Sequence, residues 1–316
     1  MSLFFWVQTL VYSSLNLSKL LRFPSLILNM EGTRKLGIVL NGGGAKGSYQ
    51  LGIWKYMREI GLDRHVSVFI GSSVGALNAV LFANGDYYQA ESIWTRDGLR
   101  EEILPSLHIK EIIKRRSILR SRKGLERIIE GVGFSRIRKS NKKVYATCSK
   151  LSLGFRKSKK SRIEKKNKPM DERLFSFLYS KCNAIEINSL TEDESTKMLL
   201  ASSALPFVFP AEKISGTKFR DGGLNDNCPV NPLLEKENCS DIIVIHLNER
   251  KDECTYDTPF IHEIFPSHSL GNFFTGTLKF GREKMRRNIA LGYNDARTIY
   301  APALSALCRK YEEAAA

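Results

Sequence analysis

Three short stretches hold the residue types that acyl-transfer chemistry needs. The first is Gly71-Ser72-Ser73-Val74-Gly75, a Gly-x-Ser-x-Gly pentapeptide. Glycines at these offsets let two backbones approach closely, while Ser73 sits on a tight strand-to-helix turn with its hydroxyl exposed. The second is Asn41-Gly42-Gly43-Gly44-Ala45-Lys46-Gly47-Ser48. Successive glycines leave backbone N–H groups unshielded by any Cβ, which makes an anion cradle at a helix start. The third is Arg220-Asp221-Gly222-Gly223, which puts a carboxylate at a strand end before a tight turn. Each has a plainer reading as an ordinary glycine turn, and Asp-Gly-Gly is a common hairpin signal.

Nucleotide binding competes for the same glycines. Gly42, Gly44 and Gly47 satisfy G-x-G-x-x-G. A dinucleotide site then wants an acidic residue closing the second strand, and that strand closes on Gly71-Ser72-Ser73. A phosphate loop wants Gly-Lys-Ser/Thr, whereas the order here is Lys46-Gly47-Ser48. Neither nucleotide reading fits.

The elements that would position these groups follow from periodicity and turn chemistry. Leu36–Leu40 and Val66–Ile70 read as buried strands, each running through glycines into a helical pattern. Two strand–glycine–helix units in tandem place both turns at the carboxyl edge of one parallel sheet. The nucleophile then lies beside the oxyanion donors. Lys143–Cys148 reads as a third strand, Ala184–Ile187 as a short one, and Ile242–Leu247 as a later one. Thr191 and Glu194 have capping-box spacing, and Ser215-Gly216 marks a hairpin within residues 213–219. His246 stands at a strand end and is the one histidine placed as a rival base. Residues 100–140 predict one or two amphipathic helices with Lys/Arg faces, interrupted at Ser117 and Gly124. Arg156–Lys168 predicts an exposed loop or a loosely ordered hairpin, and the tail from Ser269 is mostly helical.

With all three stretches in this order, the chain resembles the patatin-like phospholipase family over about residues 36–235. Ala201–Pro210 and Asn227-x-Pro229 also look like that family. It departs at Asn41, where many members have Asp, and Lys46 stands where Arg is commoner. The resemblance implies an α/β, three-layer αβα fold with a central, mostly parallel sheet and a nucleophile elbow between strand and helix. It implies a lipid acyl hydrolase with Ser73 as nucleophile and Asp221 as proton acceptor, working through an acyl-enzyme. Gly42, Gly43, Gly44, Lys46, Gly47 and Val74 would surround the oxyanion, and Gly71, Gly75, Gly222 and Gly223 would shape the turns. An acyltransferase using the same dyad is the alternative. No metal or organic cofactor is implied, and the substrate is a phospholipid or other acyl lipid.

Charge is concentrated. The chain carries a formal +16, and residues 100–170 hold 23 Lys and Arg against 6 Asp and Glu, so the rest is nearly neutral. This basic insert predicts docking on an anionic membrane surface. It has few interleaved aromatics and no reader motif, which argues against nucleic acid. Six cysteines without Cys-x-x-Cys spacing point to a reduced, cytoplasmic chain, and the basic insert adds peripheral association with membranes. Residues 1–35 read as an N-terminal extension: either an amphipathic membrane-surface helix or a misassigned start, with Met30 as the alternative. Residues 36–235 would form the catalytic domain and 236–316 a C-terminal strand and helical tail.

Overall fold

The computed structural model describes residues 34–103, 115–151, 179–206, 208–249 and 258–315. The expectations for the start site at Met30 and for the loop at 156–168 fall outside these residues. Eight strands form one sheet: β1 (Leu36–Leu40), β2 (Val66–Ser72), β3 (Lys143–Leu151), β4 (Tyr179–Glu186), β5 (Glu212–Ile214), β6 (Thr217–Asp221), β7 (Asp241–Ile245) and β8 (Ile261–Ile264). Pairing runs β5-β6-β3-β2-β1-β7-β8, with β4 also on β3. The β3-β2-β1-β7-β8 pairings are parallel, and β4, β5 and β6 pair antiparallel.

Parallel strands are covered on both faces and therefore read as unbroken apolar runs. In β1, Leu36, Ile38 and Leu40 enter the larger core while Val39 enters the smaller one behind the sheet. The larger core packs under α1 (Ser48–Glu59), α2 (Val74–Ala83) and α3 (Tyr87–Thr95). Trp54 fills its centre, stacked on Phe82 at 4.9 Å and edge-on to Phe69 at 5.6 Å. On the other face Leu233 and Leu234 of α8 (Asn231–Glu235) seal the sheet. The result is the expected three-layer α/β fold with a mostly parallel sheet.

One pairing detail brings the chemistry together. Tyr145–Thr147 pair with both β2 and β4, and Cys148 and Ser149 pair with both β4 and β6. A strand has two edges, so β2 and β6 share one of them. β2 ends at Ser72 opposite Thr147, and β6 ends at Asp221 opposite Cys148. The elbow and the Asp-Gly-Gly turn therefore meet at adjacent residues of β3.

Three local expectations are corrected. The basic segment holds α4 (Leu99–Ile103), a 16-residue α5 (Arg115–Glu130) and α6 (Ser135–Lys139), and α5 runs through both Ser117 and Gly124 without a break. Gly124 is there for packing: a Cβ on it would lie 1.7 Å from the Glu102 carbonyl oxygen of α4. β4 also starts earlier than expected, at Tyr179. The Thr191–Glu194 capping box stands on α7 (Glu192–Ser202), Ser215 and Gly216 turn at positive φ, and β7 stops at Ile245, two residues short of the expected Leu247.

The C-terminal segment is part of the core. β7 lies between β1 and β8. Helix α9 (Arg282–Thr298) crosses α1 in backbone contact, and α10 (Ala301–Ala315) follows it. A Cβ on Gly52 would sit 2.0 Å from Ile289 O, and one on Gly292 would sit 2.1 Å from Tyr49 O. Gly292→Val should therefore cost about 3 kcal/mol or more through overpacking, read as a lowered thermal midpoint. Gly281→Ala, which meets open space, should leave the midpoint unchanged and serves as the control. Among the described residues, no helix is long and apolar enough to cross a membrane.

Candidate active site

Ser73 occupies the sharp turn between β2 and α2 at φ 54, ψ −126. A non-glycine residue at positive φ is strained and persists only where its surroundings hold it. Here they do. A Cβ on Gly71 would lie 2.1 Å from Gly75 C, and one on Gly75 would lie 2.0 Å from Leu40 O. From α7, Ser202 Oγ accepts the Ser73 N–H at 3.0 Å. Ser72 braces the same turn, with Oγ 2.5 Å from Thr147 Oγ1 and donating to Asp226 O at 2.8 Å.

Asp221 is 3 % exposed. Its Oδ1 accepts the Gly223 N–H at 2.8 Å, and the Ser73 side chain stands beside the carboxylate and favours its charged form. Burial pushes its pKa up from 3.8 to about 6, against the opposing pull of those two donors. Gly222 is needed for the turn to press onto β3, because a Cβ there would lie 2.1 Å from Thr147 Oγ1.

The glycine loop sits against this pair. Gly43, Gly44, Val74, Ser73 and Asp221 line one cleft. Gly44 holds φ 55, and the hydrogen bonds among the described residues leave the N–H groups of Gly43, Gly44 and Val74 without a protein acceptor. Gly42 also borders the cleft, but its N–H donates to Asn227 Oδ1 at 3.0 Å while its carbonyl accepts from Asn227 Nδ2 at 3.2 Å. Lys46 and Gly47 lie elsewhere. The Lys46 ammonium donates to Asn248 Oδ1 at 2.9 Å, and burial followed by the charge of Lys284 pushes its pKa down. Gly47 packs on Val74, where a Cβ would lie 2.9 Å from a methyl carbon, and its carbonyl accepts from Asn78 Nδ2.

Asn227 was noticed in the sequence only as part of Asn-x-Pro. It stitches the glycine loop to the Asp-Gly-Gly turn across 185 residues, a role that no local pattern reveals. Ser202 is a second such residue.

His246 is placed away from this chemistry. Its Nε2 lies 2.8 Å from Glu263 Oε1, its Nδ1 lies 3.1 Å from Asn41 Nδ2, and its ring stacks on Phe265 at 4.1 Å. Burial holds its pKa below the usual histidine range. It supports the strand end under the glycine loop and is absent from the residues lining the cleft. His246→Gln should accordingly keep ester turnover within about threefold of the parent. A loss of orders of magnitude, as removing a general base brings, would reassign the base.

The cleft encloses about 290 Å³, and its walls are mainly apolar, with Leu77, Trp94, Ile103, Leu125, Phe209 and Leu278 among them. Among the described residues one trio has metal-ligand chemistry: His65, Cys308 and Glu312, with ligand atoms within 4.8 Å of one another. His65 precedes β2 whereas Ser73 follows it, so this trio lies at the opposite end of the strand from the cleft.

No curated protein matches the chain. Among solved structures, VipD from Legionella pneumophila is similar at 14% identity and a TM-score of 0.45, over 89% of this chain and 67% of VipD. The family model described as patatin-like phospholipase matches residues 38–234. That span runs from β1 through the glycine loop, the elbow and the Asp-Gly-Gly turn to α8, and by it the chain belongs to the patatin-like phospholipase family.

Proposed function

We propose that the protein is a lipid acyl hydrolase working through a Ser73–Asp221 dyad. The observation that carries this reading is the buried Asp221 carboxylate, which lines one cleft with Ser73 and is made more basic by burial. Ser73 Oγ attacks the ester carbonyl as Asp221 takes the hydroxyl proton. The N–H groups of Gly43, Gly44 and Val74 hold the tetrahedral oxyanion. Collapse leaves an acyl-Ser73 ester, and the departing alcohol takes the proton from Asp221. Water then enters and attacks the acyl carbonyl as Asp221 takes its proton; the acyl–Oγ bond breaks, Ser73 Oγ takes that proton back from Asp221, and the fatty acid is released. No metal or organic cofactor takes part. The apolar cleft walls suit an acyl chain of a phospholipid or other acyl lipid.

Mass spectrometry of products from mixed vesicles tests the reading. Free fatty acid and lysolipid should form with the parent and vanish with Ser73→Ala. Transacylated lipid in place of fatty acid would assign acyl transfer instead, and no product at all would overturn both.

In the same reading the basic segment 100–170 draws the protein peripherally to anionic membranes from the cytoplasmic side. Each Lys or Arg near such a surface contributes about 1 kcal/mol, so the segment's excess outweighs the rest of the chain. This attraction must fade with salt as the Debye length falls from about 10 Å at 0.1 M to about 3 Å at 1 M.

A further inference from the structure

Among the described residues four large apolar or aromatic side chains are exposed, and two of them are neighbours: Phe273 at 44 % and Phe274 at 76 %. Their rings meet edge to face at 5.3 Å. They sit on a single π-helical turn, Phe273–Thr277, outside the basic segment. Phe273, Thr277, Leu278 and Phe280 line the cleft, so this turn forms part of its rim. The turn also rests on the glycine loop, because a Cβ on Gly44 would lie 2.3 Å from Thr277 O.

Two exposed phenyl rings in water cost free energy unless something covers them. The turn's backbone shows what kind of cover it suits. The N–H groups of Phe274 and Thr275 donate to Asn272 Oδ1 at 3.0 and 2.9 Å. Those of Gly276 and Thr277 donate to Asn272 O, and that of Leu278 donates to Phe273 O. Every N–H from Phe274 to Leu278 is thus satisfied inside the turn, so none of these donors is left unpaired when the turn enters hydrocarbon. A protein partner would not require this self-sufficiency, because its own polar groups can complete the bonds.

Charge beside the turn points the same way. Residues 279–287 hold Lys279, Arg282, Lys284, Arg286 and Arg287 against Glu283. Arg282 pairs with Asp97 and Arg287 approaches Glu283 at 3.8 Å, while Lys284 donates to Leu270 O. Burial and then the charges of Lys279 and Arg287 push the Lys284 pKa down, so positive charge is crowded here and lacks enough carboxylates. We propose that the Phe273–Phe274 turn inserts into an anionic lipid bilayer and seats the cleft mouth on the membrane, with Lys279 and its neighbours at the headgroups. The inference rests on the acyl-lipid reading of the cleft and adds where the membrane meets it.

Insertion can be read without turnover. In the full chain, Phe274→Trp should give emission, taken as the difference from the parent, that shifts to the blue on anionic phosphatidylglycerol/phosphatidylcholine vesicles. Lipids brominated on their acyl chains should quench it. Ile299→Trp, at the far end of α9, should show neither effect. Phe274→Ser should lower vesicle partitioning about tenfold or more, as expected for losing one buried phenyl ring, and leave hydrolysis of a soluble short-chain ester within twofold. No blue shift and no quenching at position 274, or unchanged partitioning of Phe274→Ser, would overturn the proposal. Quenching that persists in a protein with no lipid turnover would sink the hydrolase reading alone. Turnover without quenching would sink the docking alone.

Discussion

Asp221→Asn is expected to abolish ester turnover and, at neutral pH, to make the protein more stable. The two effects have one cause. Burial lifts the Asp221 pKa from 3.8 to about 6, so between those values the folded state holds more protons than the unfolded chain. Stability contributed by this group therefore falls as pH rises through that window, and above about pH 6 the deficit is complete. The gap corresponds to about 3 kcal/mol, which asparagine recovers in part because it carries no charge. Thermal unfolding should show the variant's advantage at pH 8 and its disappearance as pH falls toward 4. Activity of the parent should fall on the acid side of about pH 6, where the base is protonated. Ser73→Ala should be equally dead, and the double variant scarcely worse, because a nucleophile and its base act as a unit. An Asp221→Asn protein that still turns over within tenfold of the parent would remove Asp221 as the proton acceptor.

Gly44→Ala should lower kcat by about 10²–10³, the usual cost of losing an oxyanion donor. Gly44 combines φ 55 with a backbone oxygen, Thr277 O, 2.3 Å from where the new carbon would go. A backbone oxygen cannot yield easily, so the loop must shift and carry its N–H groups away from the reacting carbonyl. Gly61 separates strain from clash. It has φ 80 with open space around it, so Gly61→Ala should cost some stability and no catalysis. Circular dichroism and steady-state kinetics on the two variants decide the matter. A folded Gly44→Ala enzyme with kcat within threefold of the parent would take Gly44 out of the oxyanion site.

The parts of the site that were legible in the sequence are those fixed by local sterics. Gly71, Gly75 and Gly44 occupy positions where a side chain would strike backbone, and such needs leave a spacing that can be read directly. Asp221 was legible as a strand end before a glycine turn. Its nearness to Ser73 was not, because it depends on β2 and β6 sharing one edge of β3, a pairing between distant segments. The engagement of Gly42 by Asn227 and the turning of Lys46 toward Asn248 are long-range for the same reason. Gly124 was misread as a helix break because its use is tertiary: it admits the Glu102 carbonyl. The Phe273–Phe274 turn gave no periodic signal, since its shape comes from Asn272 accepting from four successive backbone N–H groups.

The place of β7 between β1 and β8 bears on how this protein can be handled as a recombinant fragment. The family match ends at residue 234, and a clone trimmed to that boundary keeps the whole proposed dyad and every glycine of the loops. It would nevertheless lose β7 and leave one edge of β1, five apolar residues long, with no partner. A bare apolar edge strand recruits identical chains. Such a fragment should collect as inclusion bodies, and its silence in an assay would report the missing strand and nothing about Ser73.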